Sequence, residues 1–324
     1  MTTLVTGATG LVGNNLVRML LARGERVRVL VRQSAEERPL AGLDVERIVG
    51  DVRDLASVRR GLQGADRVIH AAARVHIGWT DLELQQAINI EGSRNVAQAA
   101  REAGARMVHV SSVDALGVGT RESPGTEETP TGREVECPYV LTKRGAERAV
   151  LDEVARGLWA AIVNPTYILG PWDWKPSSGR MLLAVAKGSG LFAPPGGNDF
   201  CDVRDVVEGI LAAFERGQPG RRYILGGDAL SYFEAWTLFA EVTGGRKPLR
   251  TIPAWVTKLG GRGGTLWGNI TGREPDINTA SAAMAAMPHH FSSRRAQEEL
   301  GYTSRGAAAA ARAAWEWFQA HGYA

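Results

Sequence analysis

Cysteine is scarce in this sequence, which has only Cys137 and Cys201 among its 324 residues. Two cysteines so far apart along the chain supply neither a disulfide framework nor the close ligand spacing of a zinc or iron–sulfur site. No metal site is therefore expected. Free thiols are typical of proteins in a reducing compartment, so the composition favours a cytoplasmic location.

Long apolar runs are also missing, and none approaches the roughly 20 residues that an α-helix needs to cross a bilayer. The sequence begins directly with a β-prone run, without the charged and apolar regions of a signal peptide. A membrane span is therefore not expected, in agreement with a cytoplasmic protein.

Neither sign of charge dominates, since 38 Lys and Arg residues are balanced by 35 Asp and Glu residues. The basic residues are spread along the chain without a dense block, which gives nucleic-acid binding little support. A pI near 9.0 still allows a mildly basic pocket for an anionic ligand.

Glycine, by contrast, is abundant and regularly placed near the start of the chain. The β-prone run 3–6 leads into Gly7, Gly10 and Gly13, and a helix with apolar periodicity follows. In a dinucleotide site, one such glycine allows the strand-to-helix turn, another lets the pyrophosphate approach the backbone, and a third lets the helix pack on the strand. The helix N-terminus then presents free N–H groups to the phosphates. A glycine-rich turn without a ligand is the weaker interpretation.

Short apolar runs alternate with helical patterns as far as Asn164, which predicts an α/β fold with a Rossmann-type, doubly wound parallel sheet. Beyond Asn164 the helices become short and irregular, and a small, mostly helical C-terminal substrate cap is expected. The Rossmann domain is predicted to span 1–165 and to use 200–227, and the cap to comprise 166–199 and 228–324. The predicted strands are 3–6, 26–31, 45–49, 67–70, 107–110, 158–163, 200–203 and 222–225, and the predicted helices are 11–23, 55–62, 81–103, 139–156, 206–216, 232–242 and 307–321.

The residue that follows the second strand bears on the choice of cofactor. An acidic side chain there would accept hydrogen bonds from the adenosine ribose, but this chain has Arg32, with Arg28 nearby. A guanidinium can pair with a 2′-phosphate, so NADP is preferred to NAD, unless Arg32 is merely a solvated strand end. Asp51, after the third strand, either accepts a hydrogen bond from the adenine amino group or simply forms a turn.

Tyr139 and Lys143 are four residues apart on a predicted helix and therefore share one of its faces. A lysine ammonium beside a phenol favours the phenolate, so Lys143 is expected to lower the pKa of Tyr139. Ser112 ends the fifth strand and should reach the same edge of the sheet. A hydroxyl to hold a carbonyl oxygen, a proton donor and a cation to tune it are the groups that hydride transfer needs.

The region after the sixth strand offers residues for a substrate pocket or for packing of the cap. Several aromatic residues cluster in this region. Aromatic side chains more commonly pack in a core, and the alternative is that they form a pocket wall for a ring-bearing or apolar substrate. His76 is more simply a solvated loop histidine than a pocket residue. The aromatic residues are Trp172, Trp174, Phe192 and Phe200, and the candidate polar contacts are Asp173, Lys175 and Arg180.

These motifs together resemble the extended short-chain dehydrogenase/reductases, the NAD-dependent epimerase/dehydratase family, over nearly the whole chain. Within it the sequence is similar to dihydroflavonol reductase-like proteins and to the subgroup labelled hopanoid-associated sugar epimerase. The matching segments are 6–13, 50–54, 70–73, 89–93, 110–112, Tyr139 with Lys143, 164–166 and 201–206, with 162–171, 223–227 and 271–275 matching the subgroup.

The resemblance implies a role for each matching position. Ser112 would bind the substrate oxygen, Tyr139 would be the general acid/base, and Lys143 would also bind the nicotinamide ribose. Asn89 would support the framework of the site. It further implies a homodimer in which two long helices of each subunit form a four-helix bundle. The implied cofactor-binding residues are Gly7, Thr9, Gly10, Leu11, Val12, Gly13, Arg32, Asp51, Val52, Ala71, Ala72, Ala73, Tyr139, Lys143, Pro165, Thr166 and Ile168.

Three functions follow from these features. The first is an NAD(P)-dependent oxidoreductase that reduces a ketone or aldehyde, or in reverse oxidises an alcohol. The second is a nucleotide-sugar epimerase or dehydratase that retains its cofactor. Arg32 favours the first, because net reduction commonly draws on NADPH. The third is a non-catalytic dinucleotide sensor, which would have no need of Ser112, Tyr139 and Lys143.

Overall fold

The computed structural model describes residues 1–132 and 134–324. Its central element is a seven-stranded sheet in the order β10-β6-β5-β4-β1-β2-β3, and every neighbouring pair is parallel. This confirms the predicted doubly wound sheet. The strands are Thr2–Thr6 (β1), Arg26–Val31 (β2), Glu46–Val49 (β3), Arg67–His70 (β4), Arg106–Val110 (β5), Ala160–Pro165 (β6), Tyr167–Leu169 (β7), Phe192–Ala193 (β8), Gly197–Asp202 (β9), Arg222–Leu225 (β10), Asp228–Ser231 (β11), Arg250–Thr251 (β12) and Pro288–His289 (β13).

Helices cover both faces of this sheet. Helices α1 and α7 lie on one face, and α2, α4 and α5 on the other, so the strand side chains are buried on both sides. The order of strands reverses between β1 and β4, which places a crevice for ligands at their carboxyl ends. The helices are Leu11–Ala22 (α1), Leu55–Leu62 (α2), Leu82–Gln85 (α3), Gly92–Ala103 (α4), Pro138–Val154 (α5), Gly179–Ala186 (α6), Val203–Arg216 (α7), Tyr232–Thr243 (α8), Ala254–Thr271 (α9), Thr279–Ala285 (α10) and Ala307–Ala320 (α11).

The predicted long helix 81–103 contains a π-helical turn at Gln86–Glu91, between α3 and α4. A π-turn adds a residue to the helix and rotates the segment before it relative to the segment after it. An uninterrupted helix over 81–103 would bury Leu84 on the same face as Ile88, Val96 and Ala100, but Leu84 lies exposed. The same turn holds Asn89 in the buried interior.

The cap is built around a second, small sheet in the order β11-β9-β13, with β7 paired to β9. Helices α6, α8 and α11 pack over it around Phe200, Phe239 and Phe318. The chain returns from this region to the central sheet through α7 and β10. Helices α6, α9 and α10 and strands β7, β8, β11, β12 and β13 lie outside the elements predicted from sequence, and the domain boundaries remain a prediction. Within the described ranges, no helix is both long enough and apolar enough to cross a membrane.

Candidate active site

The glycine loop between β1 and α1 is shaped by close contacts that only glycine permits. Gly7 has a φ of +74°, and a Cβ there would lie 2.6 Å from the backbone of Ala71 and Ala72. A Cβ on Gly13 would overlap the carbonyl oxygen of Gly7. Gly10 caps α1 without a side-chain hydrogen bond, so the first N–H groups of the helix face the crevice. This cradle fits the pyrophosphate of a dinucleotide.

Arg32 and Asp51, the residues predicted to bind the adenosine, lie beyond the carboxyl ends of β2 and β3. Arg32 is exposed just beyond β2, and its charge acts on the Asp51 carboxylate. Arg53, which the sequence interpretation missed, binds that carboxylate with Nη2 at 2.8 Å and Nε at 3.0 Å, and it is the main reason why the pKa of Asp51 is lowered. Arg28 donates instead to Glu46 at 2.8 Å.

The segment after β4 forms the middle of the crevice. Ala71, Ala72 and Ala73 are half-buried there. The side chain of Asn89 hydrogen-bonds to both backbone groups of Arg74, the residue after Ala73. Arg74 N donates to Asn89 Oδ1 at 2.7 Å, and Asn89 Nδ2 donates to Arg74 O at 3.0 Å. The same Nδ2 reaches Thr142 Oγ1 on α5 at 3.1 Å. Asn89 thus ties this segment to the helix that carries Tyr139.

The structure brings Ser112, Tyr139 and Lys143 to the carboxyl end of β5, and all three side chains are buried. Lys143 Nζ lies 3.4 Å from the carbonyl oxygens of both Val110 and Ser111. It also lies 6.0 Å from the centre of the Tyr139 ring. Three groups distant in sequence therefore meet in one place.

Burial is the main influence on the acid–base properties of this site. It raises the pKa of Tyr139 above its ordinary value, the nearby Asp114 raises it further, and the Ser112 hydroxyl acts in the opposite direction. The expectation that Lys143 lowers the pKa of Tyr139 is thus wrong for this arrangement. Burial lowers the pKa of Lys143 to about 8, against the attraction of Glu147 and Asp114. Tyr139 is consequently protonated at neutral pH, as a proton donor must be.

Asp114 is a charged member of the site that the sequence interpretation missed. Ser112 Oγ donates to Asp114 Oδ2 at 2.8 Å, and Asp114 N donates to Ser112 Oγ at 3.2 Å. The signal in the sequence was a serine two residues before an aspartate, which is typical of a capped turn. The contact fixes the direction of the Ser112 hydroxyl.

The buried carboxylate of Glu147 supports the backbone of Ser112 through Asn164. Glu147 accepts hydrogen bonds from Asn164 Nδ2 and from Arg222 Nε, both at 2.6 Å. Asn164 Nδ2 also donates to the carbonyl oxygen of Ser112 at 2.9 Å. Glu147 lies one helical turn after Lys143, so the same helix face supplies the proton donor, the cation and the anchor of the Ser112 backbone.

The last predicted cofactor contacts follow β6. Pro165 ends that strand, Thr166 N donates to Leu225 O at 3.2 Å, and Ile168 lies in β7. Thr9, Leu11 and Val12 are half-buried around the mouth of the glycine loop, and Val52 is buried beside α4.

The aromatic residues after β6 mostly pack inside the cap. Trp174 lies edge-on to Trp317 with ring centres 5.0 Å apart, and the Arg18 guanidinium lies 3.3 Å above the Trp172 ring. Phe200 belongs to the cap core, whereas Phe192 is exposed. These contacts support core packing rather than an aromatic pocket wall.

The polar residues of the same region also have structural partners. Asp173 Oδ2 accepts from Gly179 N at 3.2 Å, and burial raises the pKa of Asp173 to about 6. Lys175 lies 3.5 Å from Glu36, and Arg180 pairs with Asp276 at 2.6 Å.

His76 is bound rather than solvated. Its Nε2 lies 2.9 Å from Glu274 Oε2, and the same carboxylate accepts from Thr80 N at 3.0 Å. Glu274 follows α9, so this contact clamps the end of α9 to the loop after Ala73.

Comparison with known proteins gives a consistent result. The model of the NAD dependent epimerase/dehydratase family matches residues 3–226. The chain is 38% identical to sterol demethylase protein B of Methylococcus capsulatus over 99% of both chains. It is 33% identical to a putative dihydroflavonol 4-reductase of Synechocystis, over 98% of this chain and 95% of the relative.

Solved structures show the same fold. The crystal structure of gox2253 has a TM-score of 0.87 and 35% identity and covers 99% of this chain and 98% of its own. A nucleoside-diphosphate-sugar epimerase from Pseudomonas aeruginosa has a TM-score of 0.81 and 26% identity, over 100% of this chain and 99% of its own.

Proposed function

The chain belongs to the NAD dependent epimerase/dehydratase family, the extended short-chain dehydrogenase/reductases, and on that basis we propose that it reduces a ketone or aldehyde, or in reverse oxidises an alcohol. The observation that carries this proposal is the meeting of Ser112, Tyr139 and Lys143 at the sheet edge that also holds the glycine cradle. The raised pKa of Tyr139 agrees with a proton donor for reduction.

Each side chain has one task in this reaction. A bound nicotinamide supplies the hydride to the carbonyl carbon or takes it back. The Ser112 hydroxyl orients the carbonyl oxygen and exchanges its bond to Asp114 for one to the substrate. The Tyr139 phenol gives its proton to the same oxygen, and Lys143 stabilises the negative charge that Tyr139 acquires.

The dinucleotide is held by the residues around the crevice. The backbone around Gly7, Thr9, Gly10, Leu11, Val12 and Gly13 binds the pyrophosphate. Asp51 and Val52 would hold the adenine, and Ala71, Ala72 and Ala73 would hold the middle of the molecule. Lys143 and Tyr139 would hold the nicotinamide ribose, and Pro165, Thr166 and Ile168 would hold the nicotinamide.

NADP is the proposed preference, because Arg32 and Arg53 both present guanidinium groups beside the adenosine end. Arg32→Asp removes one cation and adds an anion there. We expect it to lower the affinity for NADP relative to NAD by at least about tenfold, equivalent to about 1.4 kcal/mol. Dissociation constants measured by fluorescence titration check this.

Arg26→Asp is the matched control, since Arg26 is exposed at the opposite end of the same strand. It makes the same change of charge but should leave the NADP/NAD ratio as it is. An unchanged ratio of NADP to NAD affinity in Arg32→Asp would contradict the proposed contact between Arg32 and the 2′-phosphate.

A ring-bearing, apolar carbonyl compound is the proposed substrate class, since the relatives are named for sterols and dihydroflavonols. The alternative is a nucleotide-sugar epimerase or dehydratase, which the structural neighbour from Pseudomonas aeruginosa favours. Arg32 argues for the first, because net reduction commonly uses NADPH.

A substrate panel distinguishes the two. We expect NADPH absorbance to fall when cyclic ketones are added and to stay constant with nucleotide sugars. Chromatography of the sugars detects the alternative activity, because an epimerase changes its substrate without net consumption of NADPH. A new sugar with constant absorbance would replace the reductase by the alternative.

A homodimer is proposed as well. The helices that the resemblance assigns to a four-helix bundle expose Leu84 at the start of the long helical segment and Leu141 on α5. Exposed leucines on both helices are suited to a contact between two copies.

A cytoplasmic location is the proposed compartment. Cys137 and Cys201 are both buried free thiols, as expected in a reducing environment.

A further inference from the structure

Helix α9 presents a row of large apolar side chains to the solvent. Trp255, Leu259, Leu266 and Ile270 are between 59% and 72% exposed, and Trp267 beside them is 63% exposed. At about 100° per residue, the first four lie within roughly 60° of one another around the helix. They form one stripe, which we call the α9 stripe.

The opposite side of α9 is fixed by glycines. A Cβ on Gly264 would overlap the carbonyl oxygen of Ile277, and a Cβ on Gly261 would lie 2.5 Å from the Ala282 side chain. Gly268 is buried against Pro275. Since this side packs so closely on α10 and the segment before it, α9 has no rotation available that would hide the α9 stripe.

The charge around the α9 stripe is positive. Lys258 and Arg262 are the only charged residues of α9, and both are exposed. The carboxylates that follow the helix are already bound, Glu274 to His76 and Thr80 and Asp276 to Arg180. Tryptophan and leucine on one side with lysine and arginine beside them are the pattern of a helix that lies in the plane of a membrane interface.

The α9 stripe is only one helix away from the proton donor. On its inner side, α10 packs against Tyr139 through Ala280 and Met284, together with Ile77. Packed helices have axes about 8–10 Å apart, so the exposed surface of α9 and the phenol of Tyr139 are separated by a single helix layer.

We propose that the α9 stripe docks this protein on a membrane surface that contains anionic lipids. Lys258 and Arg262 bind the lipid headgroups, and the apolar side chains enter the interface. An apolar substrate would then reach Tyr139 directly from the bilayer. This last step rests on the proposed function, whereas the docking itself requires no catalysis.

A second copy of this chain is the competing occupant of the α9 stripe. In a two-fold dimer through this surface, α9 of each copy would bring Lys258 and Arg262 to the interface, and α9 has no carboxylate to pair with them. Like charges across an interface oppose association, and anionic lipids attract the same charges.

Sedimentation with vesicles tests the docking. The full chain is mixed with large unilamellar vesicles of phosphatidylcholine, either alone or with about 30 mol% phosphatidylglycerol as the anionic lipid. We expect clear binding to the anionic vesicles, weaker binding to phosphatidylcholine alone, and a further loss as salt is raised.

Two variants assign the contact to the α9 stripe. Leu259→Ser with Ile270→Ser should lower the fraction bound to anionic vesicles at least about tenfold. Lys258→Glu with Arg262→Glu should abolish the preference for phosphatidylglycerol. Val49→Ser is the matched control, because Val49 is 58% exposed on the edge strand β3, and it should bind like the unmodified protein.

Failure of the unmodified protein to sediment with either vesicle would overturn the proposal. So would a loss of dimer mass in the Leu259→Ser, Ile270→Ser variant, measured by light scattering, together with unchanged vesicle binding, since this result assigns the α9 stripe to a second copy. The Tyr139→Phe variant should bind vesicles normally, which separates failure of the docking from failure of the proposed reaction.

Discussion

Replacing Tyr139 with phenylalanine is expected to lower kcat for carbonyl reduction by about 10³-fold, because a positioned general acid typically contributes about 10²–10⁴-fold. Only the phenolic oxygen is removed, and the ring keeps its contacts with Ala280 and Val140. The affinity for the dinucleotide should therefore fall by no more than about twofold, since the glycine cradle is unchanged. Steady-state kinetics and a fluorescence titration of NADPH check the two expectations.

Tyr302→Phe is the matched control for this experiment. Tyr302 is also buried, and its hydroxyl donates to Gly226 O at 2.8 Å, away from the candidate site. It should lose a little stability and keep its activity. If Tyr139→Phe turned over at a rate near that of the unmodified protein, Tyr139 would not be the proton donor.

The pH dependence of reduction gives an independent readout of the same group. Reduction needs the protonated phenol, so the rate falls as the pH rises through the pKa of Tyr139, and a raised pKa keeps the rate high to alkaline pH. Asp114→Asn removes a negative charge that raises this pKa, so it should move the alkaline fall to lower pH. Asp114 also raises the pKa of Lys143, so Asp114→Asn moves both titrations to lower pH, and the position of the fall in the unmodified protein assigns it: a fall near pH 8 belongs to the ammonium of Lys143, whose pKa is about 8, and a fall at higher pH belongs to Tyr139.

The glycine cradle and the pair Tyr139 and Lys143 were predictable because each depends on local spacing. Gly7 and Gly13 stand on either side of one strand-to-helix turn, and a four-residue interval on a helix defines one face whatever the rest of the fold does. The parallel sheet then brings strand ends together, which placed Ser112 correctly beside Tyr139.

The supporting residues were not predictable, because they act across distant parts of the sequence. Glu147 reaches Ser112 only through Asn164 on β6, and nothing in the spacing of these residues indicates the contact. The raised pKa of Tyr139 follows from burial and from Asp114, both of which depend on packing. The proximity of Lys143 alone therefore predicts the wrong sign for the pKa shift of Tyr139.

Helix α9 was missed for a different reason. Its sequence includes Gly260, Gly261, Gly263, Gly264 and Gly268, and each glycine in a helix costs about 1 kcal/mol relative to alanine. Local propensity thus argued against a helix. Close packing of Gly261 on Ala282 and of Gly264 on Ile277 compensates in the folded chain, which is a tertiary effect.

The cradle itself gives the second large expected effect, in the variant Gly7→Ala. The left-handed backbone at Gly7 costs alanine about 1 kcal/mol, and the overlap with Ala71 and Ala72 adds about 1–3 kcal/mol of overpacking. We expect the free energy of unfolding to fall by about 2–4 kcal/mol in urea denaturation. Any shift of the loop that relieves the overlap also moves the phosphate-binding N–H groups, so the dinucleotide affinity should fall at least about tenfold.

Gly24→Ala separates the cost of the left-handed backbone from the cost of the overlap with neighbouring atoms. Gly24 has almost the same backbone angle, with a φ of +73°, but nothing lies within 4 Å of the position of its Cβ. It should lose only about 1 kcal/mol of stability and keep its dinucleotide affinity. Equal behaviour of the two variants would mean that the contact of Gly7 with Ala71 and Ala72 does not shape the dinucleotide site, whereas a loss of affinity confined to Gly7→Ala would assign phosphate binding to this loop.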